Sequence, residues 1–314
     1  MSHLRSTHPN LDRVIAISAS DLHLSHKAPT ARTLNNWMHC QKKQLQELSS
    51  LVDKYQVPLF LVGDIFDKPT HHAEIVNLAL RYLPHAYGVP GNHELPYHNL
   101  KEVKKSSFWT LVEAGLLTYV EPGKPYQIEG YTPIVLHGFP YGVEVSPLEH
   151  RTNLAIEIAL IHSFIWQRGK GHVGADEAAK VEGWKGKLQG YDVALFGDNH
   201  LPFDTKVSDC VVVNHGSFFR RYHHEINHRP SVVLIYGDLH TERYYLDTSQ
   251  DEFTEERKVV SSILELDTGE LLQELQELGD DKLDFRQVVF QAIDNHKVKQ
   301  EVKDCVLEAM GEVP

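Results

Sequence analysis

Cysteine is scarce in this chain. Cys40, Cys210 and Cys305 are the only three in 314 residues, and none has a neighbour at the short spacing of a thiolate metal knuckle. They read as reduced thiols, buried or at the surface. Long apolar runs are absent too: none approaches the roughly 20 residues that cross a bilayer. Residues 1–20 carry neither a long apolar core nor a cleavage-like site, so no signal peptide is expected and the chain is read as soluble and cytoplasmic. Positive charge is also short, with 31 Lys and Arg against 43 Asp and Glu, a net charge of −12. Such a chain is a poor general trap for nucleic acid, although a local basic groove, or metal cations held at a site, would change the balance there. There are no internal repeats and no low-complexity linker.

What the chain does have is a regular alternation of apolar runs and amphipathic stretches. With 41% apolar and 24% charged residues, it suits a large α/β domain with a small appendage. Val14 to Ser18 reads as a buried strand ending at Asp21. Residues 32–54 follow as an amphipathic helix, with Leu34, Trp37, Met38, Leu45, Leu48 and Val52 at three- and four-residue steps. Pro58 to Val62 is the next strand and runs straight into Gly63-Asp64; residues 72–83 are a shorter helix; Ala86 to Val89 leads into Pro90-Gly91-Asn92-His93. This rhythm predicts a mainly parallel sheet whose right-handed crossovers bring the strand ends to one edge, where sites form.

The second half is richer in strands. Apolar runs end at His137-Gly138, at His162 and at Gly197-Asp198, and a helix is expected over about 174–188. Residues 211–213, 231–236 and 243–246 look like neighbouring, antiparallel strands. Two sheets packed face to face with helices outside is the natural solution. Near residue 249 the composition shifts, which sets a catalytic domain at 1–249 and a small, mainly helical, Glu- and Leu-rich region at 250–314.

The strand ends carry the chemistry. The strings are Asp21-Leu22-His23, Gly63-Asp64-Ile65-Phe66-Asp67, Gly91-Asn92-His93-Glu94, Ile161-His162-Ser163 and Gly197-Asp198-Asn199-His200. Taken singly, Asp21 and Asp64 would also serve as helix N-caps and Asn92-His93 as a plain turn. Together they supply the carboxylates and imidazoles that hold manganese, iron or zinc. Two cations roughly 3.5–4 Å apart bind a phosphate, generate hydroxide near neutral pH and stabilise the leaving oxygen. A bridging carboxylate keeps that spacing, and Asp64, beside a glycine that admits close approach, is the candidate. Asp21 and His23 are two residues apart on an extended segment and share a face. Asn92 offers a neutral amide oxygen, and His93 beside it is placed to protonate a leaving oxygen.

At these residues the chain resembles the calcineurin-like metallophosphoesterase superfamily, whose motifs map in order over about residues 14–200. The resemblance implies a four-layer α-β-β-α sandwich. It implies that Asp21, His23 and His200 bind a first metal, that Asp64 bridges, that Asn92 and His162 bind a second, and that His93 is catalytic. The family's last motif begins with Gly-His, where this chain has Gly197-Asp198. Asp198 is read as an oxygen ligand, which shifts preference towards manganese or magnesium over zinc; the alternative is that it turns away and the second metal binds weakly.

Within the superfamily the chain most resembles SbcD-type DNA repair nucleases and their phage relatives. The supporting segments are His137 to Gly142 and Asn214 to Arg221. That branch implies an exo- or endonuclease with DNA as partner, an SbcC-like ATPase subunit and a homodimer. Arg220 and Arg221 are read, apart from the resemblance, as contacts to backbone phosphates or as plain surface arginines. Two rivals stand beside the nuclease: a phosphoesterase for nucleotides or cyclic nucleotides, which the acidic charge favours, and a catalytically weak binding scaffold, for which Asp198 is the support.

Overall fold

The computed structural model describes residues 11–254, apart from 131, 152–153 and 172–174. The chain divides into two compact units, Met1–Glu256 and Arg257–Pro314, and the described residues lie in the first. The helical reading of 250–314 lies outside the described residues from 255 onward. Residues 250–254 are described and are held by residues of the first unit: Asp251 pairs with Arg32 and Arg220, and the Thr254 amide donates to Ala31.

Four parallel strands begin the chain: β1 (Val14–Ala19), β2 (Leu59–Val62), β3 (Ala86–Val89) and β4 (Leu117–Tyr119). Three helices join them: α1 (Leu34–Tyr55), α2 (Ala73–Tyr82) and α3 (Ser107–Glu113). β1 and β2 are buried along their whole length, as runs of Val, Ile, Leu and Phe require when both faces of a sheet are covered. α1 buries Trp37, Leu45, Leu48 and Leu51 on one stripe and stops at Gln56, whose left-handed backbone lets its amide reach back to Val52. The expected ranges 32–54 and 72–83 correspond to α1 and α2.

The second sheet holds β5 (Tyr126–Ile128), β6 (Ile134–Phe139), β7 (Ile156–His162), β8 (Val193–Gly197), β9 (Phe203–Val207) and β10 (Cys210–Asn214), in the order 5-6-7-8-10-9. β11 (Ser231–Tyr236) and β12 (Thr241–Tyr245) return to the first sheet, which runs 12-11-1-2-3-4. An apolar layer of Ile15, Phe60, Val62, Leu136, Leu160, Leu195, Val213 and Val233 joins the two sheets. A second cluster packs the first sheet under its helices.

Two expectations are corrected here. β10 is not a neighbour of β11; it lies in the second sheet, parallel to β8 and antiparallel to β9. The expected helix over 174–188 is replaced by two 3-10 turns, Glu177–Ala179 and Val181–Trp184, separated by extended Lys180. The backbone there is taken by Trp166: its amide donates to Ala179, and its carbonyl accepts from Val181. Trp184, Leu188 and Tyr191 still cover the outer face of the second sheet, so the sandwich is complete without an α-helix on that side among the described residues.

Candidate metal centre

Asp21 and His23 follow β1, Asp64 follows β2, Asn92 and His93 follow β3, His162 ends β7, and Asp198 and His200 follow β8. Parallel strands that start together end together, so five separate stretches of sequence meet at one edge of the sandwich. Backbone hydrogen bonds tie these ends to one another. The amides of Asp21 and His23 donate to Gly63 and Asp64 carbonyls at 3.2 and 2.8 Å, and the His93 amide donates to Asp64 Oδ1 at 3.1 Å.

The backbone is strained at the same place. Asp21, His23, Asp64 and Asp198 have φ of 55, 44, 52 and 89°, a region that L residues other than glycine avoid. Gly91 is required by crowding instead: a Cβ there would run into Asp64 Oδ1 and His162 Nε2.

The side chains form three groups whose candidate ligand atoms all lie within 4.8 Å of one another: Asp21, His23 and His200; His23, Asp64 and His93; Asp21, Asp64 and His162. His23 Nε2 is 3.2 Å from His200 Nε2 and 3.7 Å from Asp64 Oδ2. His162 Nε2 is 3.1 Å from Asn92 Oδ1 and 3.5 Å from Asp64 Oδ2. Donors bound at about 2.0–2.2 Å to a common cation sit at such separations from each other. His162 Nδ1 donates to the Val62 carbonyl at 2.7 Å, which fixes the tautomer and leaves Nε2 as the donor atom facing Asp64.

Electrostatics agree that the donor set suits divalent metal. Burial pushes the Asp21 carboxyl up to about 7, and Asp64 and Asp198 add to the rise. At Asp64 burial acts in the same direction, but the imidazoles of His162, His93 and His23 outweigh it and hold the carboxyl well below its usual range. Burial depresses His200 to about 3. A buried cluster of acids and imidazoles with these opposed tendencies is relieved when a cation takes the place of protons.

Asp198 lies at the centre's rim. Its amide donates to both Asp21 carboxylate oxygens, at 3.1 and 3.3 Å, and its carboxylate is in none of the three groups. Arg220 is directed elsewhere: its guanidinium bonds Asp251, Ile226 and Thr248 and lies over Phe253. Arg221 is 8% exposed and near the centre.

Sequence reading overlooked Glu94. It is fully buried, and its carboxylate accepts from the amides of Asp64, Phe66 and Gly91 at 2.9, 2.8 and 2.7 Å. It therefore fixes the two loops that carry Asp64 and Asn92; the acid closing Gly91-Asn92-His93-Glu94 was the available signal. His71, close by, has a side chain only 1% exposed, with Nε2 2.9 Å from Asp67 Oδ1.

A family model described as calcineurin-like phosphoesterase matches residues 17–202, which include every residue of the three groups. No curated protein sequence matches the chain. Solved structures resemble it at low identity. An archaeal phosphodiesterase is 12% identical, covering 74% of this chain and 99% of its own, with a TM-score of 0.37. The sulfate thiohydrolase SoxB of Thermus thermophilus, in complex with glycerol, is 11% identical over 74% of this chain and 56% of its own, with a TM-score of 0.43. The phosphopantetheinyl hydrolase of Mycobacterium tuberculosis is 14% identical over 66% and 91%, with a TM-score of 0.37.

Proposed function

Because the chain belongs to the calcineurin-like phosphoesterase family, we propose that it is a metal-dependent phosphodiesterase whose substrate is DNA. The observation that carries the first part is the shared position of Asp64, whose Oδ2 lies 3.7 Å from His23 Nε2 on one side and 3.5 Å from His162 Nε2 on the other. Asp21, His23 and His200 would hold one divalent cation. Asn92, His162 and Asp198 would hold another, and Asp64 would serve both. Manganese suits this oxygen-rich set, and magnesium, iron and zinc are the alternatives. When bound, such a pair supplies positive charge for the phosphate, a nucleophile near neutral pH and stabilisation of the leaving oxygen.

The protein's own groups do the positioning. His93 donates through Nδ1 to the Asp67 carbonyl at 2.8 Å, so Nε2 is the nitrogen turned towards Asp64. With a side chain 31% exposed, close to the 33% of His200, where His23 and His162 are sealed, it is one of two imidazoles of the centre that substrate can reach, and the one not assigned to a cation. Its role is to protonate the leaving oxygen.

DNA as substrate is supported by the segments His137 to Gly142 and Asn214 to Arg221, which resemble SbcD-type nucleases. A second reading, a small nucleotide or cyclic nucleotide diester, is favoured by the net charge of −12 and by the commitment of Arg220 to Asp251. Manganese-loaded protein assayed on single- and double-stranded DNA, on cyclic nucleotides and on a chromogenic diester separates the two. Cleavage of DNA with chelator-sensitive turnover is expected. Hydrolysis of the small diesters with DNA untouched would transfer the assignment to the second reading, and no hydrolysis of any diester would end the phosphodiesterase proposal.

A further inference from the structure

The buried and half-buried arginines of this fold are treated unequally. Arg32 and Arg220 both pair with Asp251, at 3.1 and 2.7 Å, and Arg243 pairs with Asp204 at 2.7 Å. Arg221 is 8% exposed, yet among the described residues no carboxylate pairs with its guanidinium. Its Nε is buried with no hydrogen-bond partner, and the group rests over the ring of Tyr222 at 5.4 Å. A buried cation without a counter-charge is unfavourable, and a bound anion would relieve it.

The segment that carries Arg221 is built into the metal centre. The Phe218 amide donates to the Asp21 carbonyl and the Ser217 amide to the His200 carbonyl, each at 3.2 Å. Phe218 and Phe219 are buried, and Phe219 meets Trp37 edge-on at 5.3 Å. Just beyond, the amides of Arg221 and Tyr222 both donate to Glu225 Oε2, which fixes the turn. The guanidinium is near enough for its charge to act at three imidazoles. It adds to burial in depressing His23 and His200, and at His93 it joins burial in opposing the rise that Asp64 causes.

We propose that Arg221 is the phosphate clamp of this centre, a substrate-binding residue whose guanidinium takes the non-bridging oxygens of a phosphate ester lying over Asp64 and His93. The inference rests on the phosphodiesterase reading and deepens it. Arginine suits the task because its planar fork offers paired N–H donors to two oxygens of one anion. Metal cations at the carboxylates would leave the guanidinium still more in need of an anion, and a phosphate ester supplies one. Such a contact strengthens as charge gathers on the phosphoryl oxygens, so it acts on turnover as well as on binding.

The test uses the full-length, manganese-loaded protein, with inorganic phosphate as probe in calorimetry and a chromogenic diester in kinetics. Arg221→Gln is expected to bind phosphate at least tenfold more weakly at unchanged metal content. Its kcat/KM should fall about 10²- to 10³-fold, with part of the loss restored by added methylguanidine. Arg221→Met should melt no lower than the wild type, because it removes an unpaired buried charge, whereas Arg220→Met should melt lower. Phosphate binding within twofold of wild type in Arg221→Gln would overturn the clamp. So would a drop in melting temperature like that of Arg220→Met with phosphate affinity intact. If the wild type binds phosphate through Arg221 but cleaves no diester, the phosphodiesterase reading falls and the clamp stands.

Discussion

His93 donates to the Asp67 carbonyl through Nδ1 at 2.8 Å, and this one bond leaves its other nitrogen, 3.9 Å from Asp64 Oδ2, as the atom that faces the metal centre. The orientation is set by backbone, so it survives changes to the Asp67 side chain. His93→Ala should therefore lower kcat by about 10²- to 10⁴-fold, the usual worth of a general acid, and leave metal content at the wild-type value. Elemental analysis showing loss of a cation would move His93 into the coordination shell.

Chelation should abolish turnover and lower the melting temperature, and manganese should restore both. The thermal effect follows because the donors are assembled only in the folded chain; a cation at a hundred times its Kd adds about 2.7 kcal/mol. Differential scanning calorimetry of stripped and reloaded protein reads this directly. Full turnover by stripped protein in the presence of chelator would defeat the metal assignment.

Asp198 occupies the place of the family's histidine but reaches the centre through its amide, which bonds Asp21 at 3.1 and 3.3 Å. If its carboxylate also binds metal, Asp198→Asn keeps that amide bond and loses one cation selectively. One cation lost per chain, counted by elemental analysis, is the expected result. Two retained cations at wild-type rate would leave His162, Asn92 and Asp64 as the whole of the second donor set.

Much of this candidate centre was legible because each candidate ligand ends an apolar run. Val14 to Ser18, Leu59 to Val62 and Ile158 to Ile161 are too apolar to be anything but covered strands, and a parallel sheet puts their polar successors together. What long-range pairing decides was not legible. Residues 211–213 carry no mark of which sheet they join, and β10 is chosen by its register with Val193 to Phe196. Residues 174–188 carry enough apolar side chains for a helix, but the pairing of Trp166 with Lys180 claims the backbone first. The difference between Arg220 and Arg221 was equally hidden, since it depends on Asp251, 31 residues beyond Arg220.

Glu94 holds the amides of Asp64, Phe66 and Gly91 together. Glu94→Ala leaves three buried donors without an acceptor. At about 1–3 kcal/mol for each such group, the variant should lose several kcal/mol in urea unfolding and lose metal with it. Glu94→Gln keeps the shape and one acceptor oxygen, so its loss should be smaller. Equal stability of Glu94→Ala and wild type would show that water replaces the carboxylate.

His215 gives the fold a pH dependence separate from the metal donors. Its ring lies between the sheets, with Nδ1 donating to the Phe196 carbonyl at 2.7 Å and Nε2 accepting from Ser18 Oγ at 2.8 Å. Protonation would turn that acceptor nitrogen into a donor. Burial lowers the imidazole to about 3 from its ordinary 6.5, with the Phe196 bond opposing and the Arg243 charge assisting. Between those two values the unfolded chain holds a proton that the folded chain refuses, so stability rises with pH across the window and is lost on acidification below 6.5. At about pH 5 the loss amounts to about 2 kcal/mol. His215→Gln carries no such proton. In urea unfolding of metal-stripped protein, its stability should fall less steeply from about pH 6.5 to 5 than that of the wild type, whatever its value at neutral pH. Parallel slopes for the two proteins would show that other groups carry the acid sensitivity.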